Sequence, residues 1–146
     1  LPELNRSIDL EKINDFQLNK FFYKNVGKKH NWIDRLTWSE TDWIKYTSDS
    51  KVETYILKVK NDLAGYFELI FHTDLKEIEI AYFGLLEEYH YKKLGAYLLS
   101  EAIKKSFLKK NIERVWAHTC SLDHKNALKN YLSRGMKIYK KETVKF

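Results

Sequence analysis

Two lysines and a glycine stand where an extended apolar run gives way to a helical pattern, in the stretch EEYHYKKLGAYLLSEAI. The first turn of a helix presents unpaired backbone N–H groups and the positive end of the helix dipole, so it can bind a phosphate. Gly95 would let the backbone approach such a group closely, and Ala96 adds little bulk. Lys92 and Lys93 would supply positive charge. This arrangement indicates a phosphate site, and the alternative is an ordinary helix start whose lysines face water.

A second group of reactive side chains lies in and just after the stretch VWAHTC, namely His118, Cys120 and His124. One cysteine and two histidines without a recurrent ligand spacing do not predict a metal site. A Cys–His nucleophile is a second interpretation, but no third group stands out to orient the pair. We therefore expect His118 and Cys120 to line one side of a binding site or to pack in the core, and we predict no metal.

The composition limits the classes of protein to which these residues can belong. The chain has 146 residues, the size of one domain, with 44% apolar residues and a formal net charge of 26 − 20 = +6. That charge suits a polyanionic partner without choosing between nucleic acid, a membrane surface and a phosphorylated cofactor. A single cysteine excludes an internal disulfide and favours a reducing compartment, so we expect a cytoplasmic protein. No apolar run approaches the roughly 18 residues that a membrane span needs.

The periodicity of the apolar residues predicts the elements that hold these groups. The stretch LEKINDFQLNKFFYKNV is spaced as a helix, and Ser39, followed by acidic residues, reads as the N-cap of a second helix. Three strands follow, ETYILKVK, YFELIF and EIEIAYFGLL, linked by the turns NDLAG and HTDLK as in an antiparallel meander. Helical spacing returns from Lys92, after which ERVWAHTC reads as a strand, SLDHKNALKNYLSRGM as a helix and KIYKKETVKF as extended structure. We predict a single α/β domain over residues 1–146.

This order of elements, with the lysine–glycine junction after the third meander strand, resembles the GNAT superfamily of acyl-CoA-dependent N-acyltransferases. The family signature Q/R-x-x-G-x-G/A aligns with His90 to Gly95, so that Gly95 matches the second glycine. His90 stands in place of Gln or Arg, and Lys93 stands in place of the first glycine. The stretch HKNALKNYLSRGM resembles a second family block, which matches at Ala127, Tyr131, Gly135 and Met136. Within the superfamily the chain resembles a bacterial subgroup of unknown substrate.

The resemblance implies a fold and a coenzyme site. The expected fold is a GNAT-like mixed, mostly antiparallel central sheet flanked by helices and splayed between strands 4 and 5. Acetyl-CoA is the expected cosubstrate, with its pyrophosphate against the signature and its pantetheine arm along backbone groups of Phe83 and Leu85. His124, in place of a family asparagine, is a further candidate contact. The cofactor-binding residues implied in this way are Phe83, Leu85, His90, Tyr91, Lys92, Lys93, Leu94, Gly95, Ala96 and His124.

Acetyl transfer to an amine is helped by a base that removes the proton of the amine and by an acid that protonates the departing thiolate. The resemblance implies that Tyr131 lies near the thioester sulfur and acts as the acid, whereas packing in the apolar stripe of its helix is the alternative. Glu77 and Glu79 share one face of the third meander strand, and Glu79 is the nearer to the thioester. Glu68 on the preceding strand is a rival base. Exposed glutamates without a catalytic role are the alternative for all of these carboxylates.

The segment between the first two helices covers the acceptor in many members of the family. In this chain it carries an arginine and several aromatic residues, Trp32, Arg35, Trp38 and Trp43. An aromatic wall with one arginine suits a small polar or anionic acceptor, which a guanidinium can pair with two parallel hydrogen bonds. We predict Trp32, Arg35 and His118 as substrate-binding residues. We expect Trp38 and Trp43 to pack the second helix onto the sheet.

The predicted function is transfer of an acetyl group from acetyl-CoA to a primary amine of a small molecule or a protein by direct attack. The alternative is a non-catalytic GNAT-like module that binds coenzyme A as a sensor or scaffold, which the altered signature at His90 and Lys93 motivates. A nucleic-acid-binding domain is a third interpretation, but the basic residues are scattered among acidic ones and no recognised motif appears. The expected partners are a coenzyme A thioester and an amine, without nucleic acid or membrane, and a homodimer is compatible with these expectations.

Overall fold

The computed structural model describes residues 8–28, 32–92, 94–109, 111–118, 137–140 and 143–145, with the backbone alone for residues 90–92, 118, 137–140 and 143–145. The strands of this part of the chain are β1 (Ile8–Ile13), β2 (Val52–Val59), β3 (Asp62–His72), β4 (Glu77–Leu85), β5 (Arg114–His118), β6 (Lys137–Lys140) and β7 (Thr143–Lys145). The helices are α1 (Phe16–Gly27), α2 (Glu40–Thr47) and α3 (Leu94–Phe107), and 3-10 helices span Thr73–Leu75 and Glu87–Lys92. None of these helices is long and apolar enough to cross a membrane.

All of these strands belong to one sheet, in the order β1-β2-β3-β4-β5-β7-β6. Strands β1 to β4 pair antiparallel with one another, as do β5 with β7 and β7 with β6, whereas β4 and β5 pair parallel. The parallel pair is joined through α3, as a crossover connection requires. The predicted fold class, a mixed and mostly antiparallel sheet flanked by helices, is confirmed.

The two faces of the sheet bury different sets of side chains because successive residues of a strand point to opposite sides. One face carries Phe67 and Leu69 of β3, which belong to the apolar cluster that also holds the buried residues of α3. The opposite face carries Tyr66, which belongs to a second cluster formed with the aromatic residues of α1 and α2. Glu68 points to this second face as well, where it contacts α1 through Asn19.

The centre of β4 is irregular on both of its edges. Against β3, Glu68 pairs with Tyr82 while Leu69 pairs with Ile80, so Ala81 is an extra residue that forms a β-bulge. Against β5, the pairing covers only the first residues of β4 and ends where Glu79 faces Trp116, although β4 continues to Leu85. Within the described residues, the two parallel strands therefore separate beyond Glu79, and the predicted splay between strands 4 and 5 is confirmed.

The second helix begins where the sequence predicts. The side chain of Ser39 accepts a hydrogen bond from the backbone N–H of Asp42 at 3.1 Å, and the Asp42 carboxylate accepts one from the Ser39 N–H at 2.9 Å. This capping box satisfies two backbone donors that a helix start otherwise leaves without partners. The acidic residues of the first turn also favour the helix dipole.

The first helix begins later than predicted, and the prediction is wrong for Leu10 to Ile13. These residues lie in β1, which pairs along its length with β2, and Leu10 packs against the cluster around α3. The spacing of Leu10 and Ile13 is compatible with a helix, but the paired edge of β2 offers the segment a full ladder of backbone hydrogen bonds. The N-cap is Asp15, whose carboxylate accepts from the N–H of Gln17 at 2.9 Å.

The turn predicted at NDLAG is shorter and lies earlier in the chain. Lys60 and Asn61 both adopt left-handed backbone conformations, with φ of 52° and 69°, and β3 already begins at Asp62. Two left-handed central residues match the right-handed twist of the flanking strands, which is why two residues suffice. The extended structure predicted near the C-terminus is present as β6 and β7. The helix predicted for residues 121–136 lies outside the described residues.

We expect Gly65→Ala to destabilise the fold, because a Cβ at this position would lie 2.7 Å from the backbone oxygen of Gly84 and 2.7 Å from a methyl carbon of Leu85. Such overpacking costs about 1–3 kcal/mol in the free energy of unfolding, measurable by urea denaturation. Gly95→Ala is the matched control, since its added Cβ would meet its nearest neighbour, Leu85, at 3.9 Å. Equal stability of the two variants would contradict the close approach of β3 and β4 at Gly65.

Candidate active site

Beyond Glu79, β4 and β5 pair no further within the described residues, and we call the gap between these two strands the cleft. Glu79 lies in the last pair before the strands diverge, next to the bulge at Ala81. Phe83 and Leu85 lie in the diverging half, with side chains buried against α3. Their side chains therefore fill the core, so the predicted contact with a pantetheine arm would involve their backbone groups.

The far end of the cleft leads into the residues of the coenzyme A signature. The backbone of His90, Tyr91 and Lys92 ends a 3-10 helix, and α3 begins at Leu94. Leu94 is fully buried under the sheet, whereas Gly95 and Ala96 are partly accessible at the helix surface. Lys93 lies outside the described residues. The structure thus brings the described part of the signature to the N-terminus of α3, as the phosphate hypothesis requires.

A buried ion pair lies on the face of the sheet that packs against α1 and α2, opposite α3. Nη1 of Arg35 donates to Oε2 of Glu68 at 2.8 Å, and Nη2 donates to Oε1 at 2.7 Å. The same carboxylate accepts from Nδ2 of Asn19 at 2.9 Å and from the hydroxyl of Tyr46. Four donors therefore occupy one carboxylate whose side chain is 0% exposed.

Five aromatic rings surround the guanidinium of Arg35. Its central carbon lies 4.2 Å from the ring centre of Tyr46 and 4.6 Å from that of Tyr82. The remaining rings, at 4.9 to 5.9 Å, are those of Tyr23, Trp38 and Trp43. The negative faces of aromatic rings attract a cation, and the attraction grows when water is excluded. The packing expected for Trp38 and Trp43 is confirmed, since both belong to or pack against the cluster on this face.

Arg35 and Glu68 each stabilise the charged form of the other. Burial alone would raise the pKa of Glu68, but the charge of Arg35 and the hydrogen bonds from Arg35, Tyr46 and Asn19 outweigh burial and lower it. Burial alone would lower the pKa of Arg35, and the charge of Glu68 and its hydrogen bonds raise it instead. Burial, followed by the charge of Glu68, raises the pKa of Tyr46, which therefore remains a donor. A carboxylate with a lowered pKa and four donors is unsuited to remove a proton, so the structure disfavours Glu68 as the rival base.

Glu79 has a different environment, in partial contact with solvent. Oε1 of Glu79 lies 2.9 Å from Nε2 of His72, the last residue of β3. The imidazole of His72 stacks on the indole of Trp116, with ring centres 5.7 Å apart and planes inclined by 18°. The indole N–H of Trp116 donates to Glu77 at 3.1 Å, and Glu77 also pairs with Arg114 at 3.2 Å. Glu77 is thereby engaged in holding Trp116, whereas Glu79 faces His72 at the point where the strands separate.

His72 and Trp116 were not singled out by the sequence prediction, although a signal for His72 exists. His72 follows Glu68 by four residues along a strand, so both side chains lie on the same face. The short turn HTDLK places His72 opposite Glu77 and therefore one diagonal step from Glu79. Strand period and turn length together could have predicted this contact.

An open cavity of about 310 Å³ lies next to His72. It is lined by the end of α2, the start of β2 and the end of β3 with the 3-10 helix that follows it. The lining residues are Tyr46, Asp49, Lys51, Val52, Ile70, Phe71, His72, Thr73, Asp74 and Leu75. Tyr46 and His72 are the lining residues that also contact Glu68 and Glu79, respectively, so one side chain lies between the cavity and each carboxylate.

Two of the predicted acceptor residues, Trp32 and Arg35, lie on the face of the sheet that carries Glu79, but they are buried. Trp32 is 4% exposed and packs against the rings of Tyr23 and Tyr82. Arg35 is 6% exposed, with both terminal nitrogens bonded as described above. The backbone of His118 ends β5, beyond its last pair with β4. Tyr131 and His124, the predicted acid and a predicted coenzyme contact, lie outside the described residues, and no metal-binding group of three or more His, Cys, Asp or Glu occurs within them.

Comparison with protein families gives one match, in which residues 13–136 fit the acetyltransferase (GNAT) family. The chain belongs to this family. The assignment confirms the predicted family and, with it, the predicted class of enzyme, an N-acetyltransferase. No match to this GNAT protein is found among curated proteins.

Solved structures of other acetyltransferases share the fold of this GNAT chain. PaiA N-acetyltransferase from Thermoplasma acidophilum, in complex with coenzyme A, has a TM-score of 0.70 at 19% identity, over 95% of this chain and 97% of that chain. An aminoglycoside acetyltransferase from an uncultured soil metagenomic sample has a TM-score of 0.72 at 12% identity, over 94% and 93%. Spermidine N-acetyltransferase from Vibrio cholerae, in complex with coenzyme A and spermine, has a TM-score of 0.69 at 18% identity, over 97% and 94%. At these identities the likeness concerns the fold.

We expect Glu68→Gln to cost on the order of 3–5 kcal/mol in the free energy of unfolding at pH 7, because it leaves the Arg35 charge buried without a counter-ion. The cost should shrink on acidification. Folding lowers the pKa of Glu68, so its contribution is complete above the unfolded pKa of about 4.3 and is lost as the pH falls further, through the folded pKa. Chemical denaturation between pH 7 and pH 3 measures both effects.

Glu53→Gln is the matched control for this measurement. Glu53 also pairs with cations, Lys109 and Lys12, but these side chains are partly exposed to solvent. Surface pairs of this kind contribute up to about 1 kcal/mol, so the control should be much less destabilised at pH 7. A Glu68→Gln variant no less stable than Glu53→Gln would contradict the central place of the buried pair.

Proposed function

We propose that this GNAT protein transfers an acetyl group from acetyl-CoA to a primary amine of a small molecule or a protein, by direct attack of the amine on the thioester. The observation that carries the proposal is the cleft between β4 and β5, with Glu79 where the strands part and the N-terminus of α3 at its far end. Such a cleft can hold an elongated thioester so that its reactive end lies beside a base. The proposal includes one catalytic domain over residues 1–146.

In the proposed coenzyme site, the backbone of residues 90–96 and the positive end of the α3 dipole hold the pyrophosphate, with charge from Lys92 and Lys93. The environment of Gly95 supports this assignment. A Cβ there would meet its nearest neighbour at 3.9 Å, so the packing of the described residues does not itself demand a glycine. A glycine that packing does not require leaves space beside the backbone, and a bound ligand would use that space. Backbone groups of Phe83 and Leu85 and the side chain of His124 complete the proposed coenzyme contacts.

In the proposed chemistry, Glu79 accepts a proton from the ammonium group of the acceptor, which frees the lone pair of the amine for attack on the thioester carbon. Tyr131 donates a proton to the sulfur of coenzyme A as the carbon–sulfur bond breaks, and the second proton that the nitrogen loses on becoming an amide restores the hydroxyl of Tyr131. The partial exposure of Glu79 and its place beside the cleft support its role as the base, because an incoming amine can reach it. The bulge at Ala81 supports the same site, since bulges redirect backbone groups and are frequent next to active sites.

The acceptor is proposed to approach over the face that carries Glu79. Trp32, Arg35 and His118 remain the proposed acceptor residues, with Trp32 and Arg35 forming the wall behind the site through their buried aromatic surroundings. By their names, one of the similar structures acts on spermidine and another on aminoglycosides. This supports a small, positively charged amine as the first acceptor to test. A cytoplasmic location and a homodimer belong to the same proposal.

We expect Glu79→Gln and Tyr131→Phe each to lower kcat by about 10²–10⁴-fold, the usual contribution of a general acid or base. Turnover is measured as release of the coenzyme A thiol with spermidine, an aminoglycoside and a lysine peptide as acceptors. Affinity for acetyl-CoA, measured by calorimetry, should stay at the wild-type value in both variants. Wild-type binding of acetyl-CoA without turnover of any amine would favour the non-catalytic coenzyme A module, and absence of binding at millimolar acetyl-CoA would overturn both readings.

We expect Gly95→Leu to weaken acetyl-CoA binding at least about tenfold, because the added side chain would occupy the surface where the pyrophosphate is proposed to lie. Calorimetry with acetyl-CoA measures the change. Ser100→Leu introduces the same side chain at an exposed position of α3, a turn and a half further along, and serves as the control. Unchanged binding by Gly95→Leu, with the fold intact by circular dichroism, would contradict the proposed pyrophosphate site.

A further inference from the structure

The imidazole ring of His72 has a hydrogen-bond partner at its edge and a stacked aromatic ring on its face. Its Nε2 lies 2.9 Å from Oε1 of Glu79, and its ring stacks on that of Trp116. Trp116 is in turn fixed through its indole N–H by Glu77, which also pairs with Arg114. A side chain with both a hydrogen bond and a stacked ring has few accessible rotamers, so His72 holds a defined position although it is 36% exposed.

The direction of the hydrogen bond follows from the charge of the partner. An ionised carboxylate can only accept, so Nε2 of His72 donates its proton to Oε1 whenever Glu79 is ready to act as a base. This bond fixes one carboxylate oxygen, and the second oxygen, Oε2, is then oriented by the same contact. Glu79 sits where β4 and β5 separate, and orientation at this point decides whether Oε2 meets an amine in the cleft.

From this geometry we infer that His72 is a positioning residue for the reaction, acting through Glu79, a role that the sequence-based assignment did not include. The inference rests on the proposed function, because it takes Glu79 as the base. In the step concerned, an N–H bond of the acceptor ammonium breaks and an O–H bond forms at Oε2 of Glu79, while Nε2 of His72 keeps its hydrogen bond to Oε1. The electron pair of the broken N–H bond stays on nitrogen and attacks the thioester.

His72 is also open to solvent on one side. Its ring borders the open cavity of about 310 Å³ that Tyr46 and the 3-10 helix after β3 also line. The side chain of its partner Glu79 is 17% exposed, so a proton accepted there can be returned to solvent.

Two substitutions separate the hydrogen bond of His72 from its packing. His72→Phe keeps an aromatic ring for the stack on Trp116 but removes the donor, whereas His72→Gln keeps an N–H donor and removes the ring. If His72 positions Glu79, His72→Phe lowers kcat about tenfold, with the KM for acetyl-CoA unchanged, and His72→Gln retains most of the activity. A purely structural role gives the reverse order, with His72→Phe near wild type and His72→Gln impaired, and that result would overturn the inference.

A double variant tests whether His72 acts through Glu79. His72→Phe should add no further loss of kcat in a Glu79→Gln background, because the base that it positions is already absent. Additive losses would show that His72 acts elsewhere and would overturn the inference. Acetyl-CoA affinity by calorimetry and the unfolding midpoint accompany each variant, so that a folding defect is recognised and excluded.

The outcomes for this inference and for the proposed function differ. A wild-type enzyme that releases coenzyme A with an amine, together with a His72→Phe variant of equal kcat, overturns the role of His72 and leaves the proposed function standing. A wild-type protein that releases no coenzyme A with spermidine, an aminoglycoside or a lysine peptide overturns both. The positioning role of His72 is supported if kcat falls in His72→Phe, is retained in His72→Gln and falls no further in the double variant.

Discussion

The carboxylate of Glu68 and the guanidinium of Arg35 join parts of the chain that are far apart in sequence. Taking two charges out of water is costly, and the cost is offset only when every polar atom of the pair finds a partner. Here the carboxylate receives donors from α1, from the segment before α2, and from α2 itself, through Asn19, Arg35 and Tyr46. Both helices are therefore bonded to the same carboxylate of β3, and this shared contact helps to set their position over this face of the sheet.

The same point lies next to the irregularity that shapes the active site. Glu68 is the last residue of β3 before the register with β4 shifts, and its partner across the strands is Tyr82. Tyr82 packs on Arg35 with its ring centre 4.6 Å from the guanidinium carbon, which keeps this part of β4 on the aromatic cluster. Ala81 then forms the bulge, and only one more residue separates it from Glu79. A buried ion pair thus lies close to a carboxylate that is partly exposed to solvent.

Several parts of this architecture could be predicted from the sequence because their causes are local. The cap at Ser39 needs only a side-chain oxygen and an acidic residue three positions later. The meander strands show their apolar residues within a few positions, and Glu79 was assigned to the correct face from strand period alone. The predictions failed where a distant partner decided the outcome. Leu10 to Ile13 are spaced as a helix, yet the free energy gained by pairing with the edge of β2 makes them a strand.

Arg35 and Glu68 show most clearly what a sequence by itself leaves open. Most of the order of elements and the candidate glutamates follow from residue types and spacing, since these reflect local geometry and charge, and the family follows from the resemblance of its motifs. The partner of each charge does not follow, because Arg35 and Glu68 are brought together only by the packing of the helices on the sheet. In the tertiary structure Glu68 is fully buried in its pair with Arg35. Glu79, where β4 and β5 separate, is partly exposed and lies beside His72. Burial and the number of donors depend on the whole fold, and they give two side chains of identical chemistry different environments.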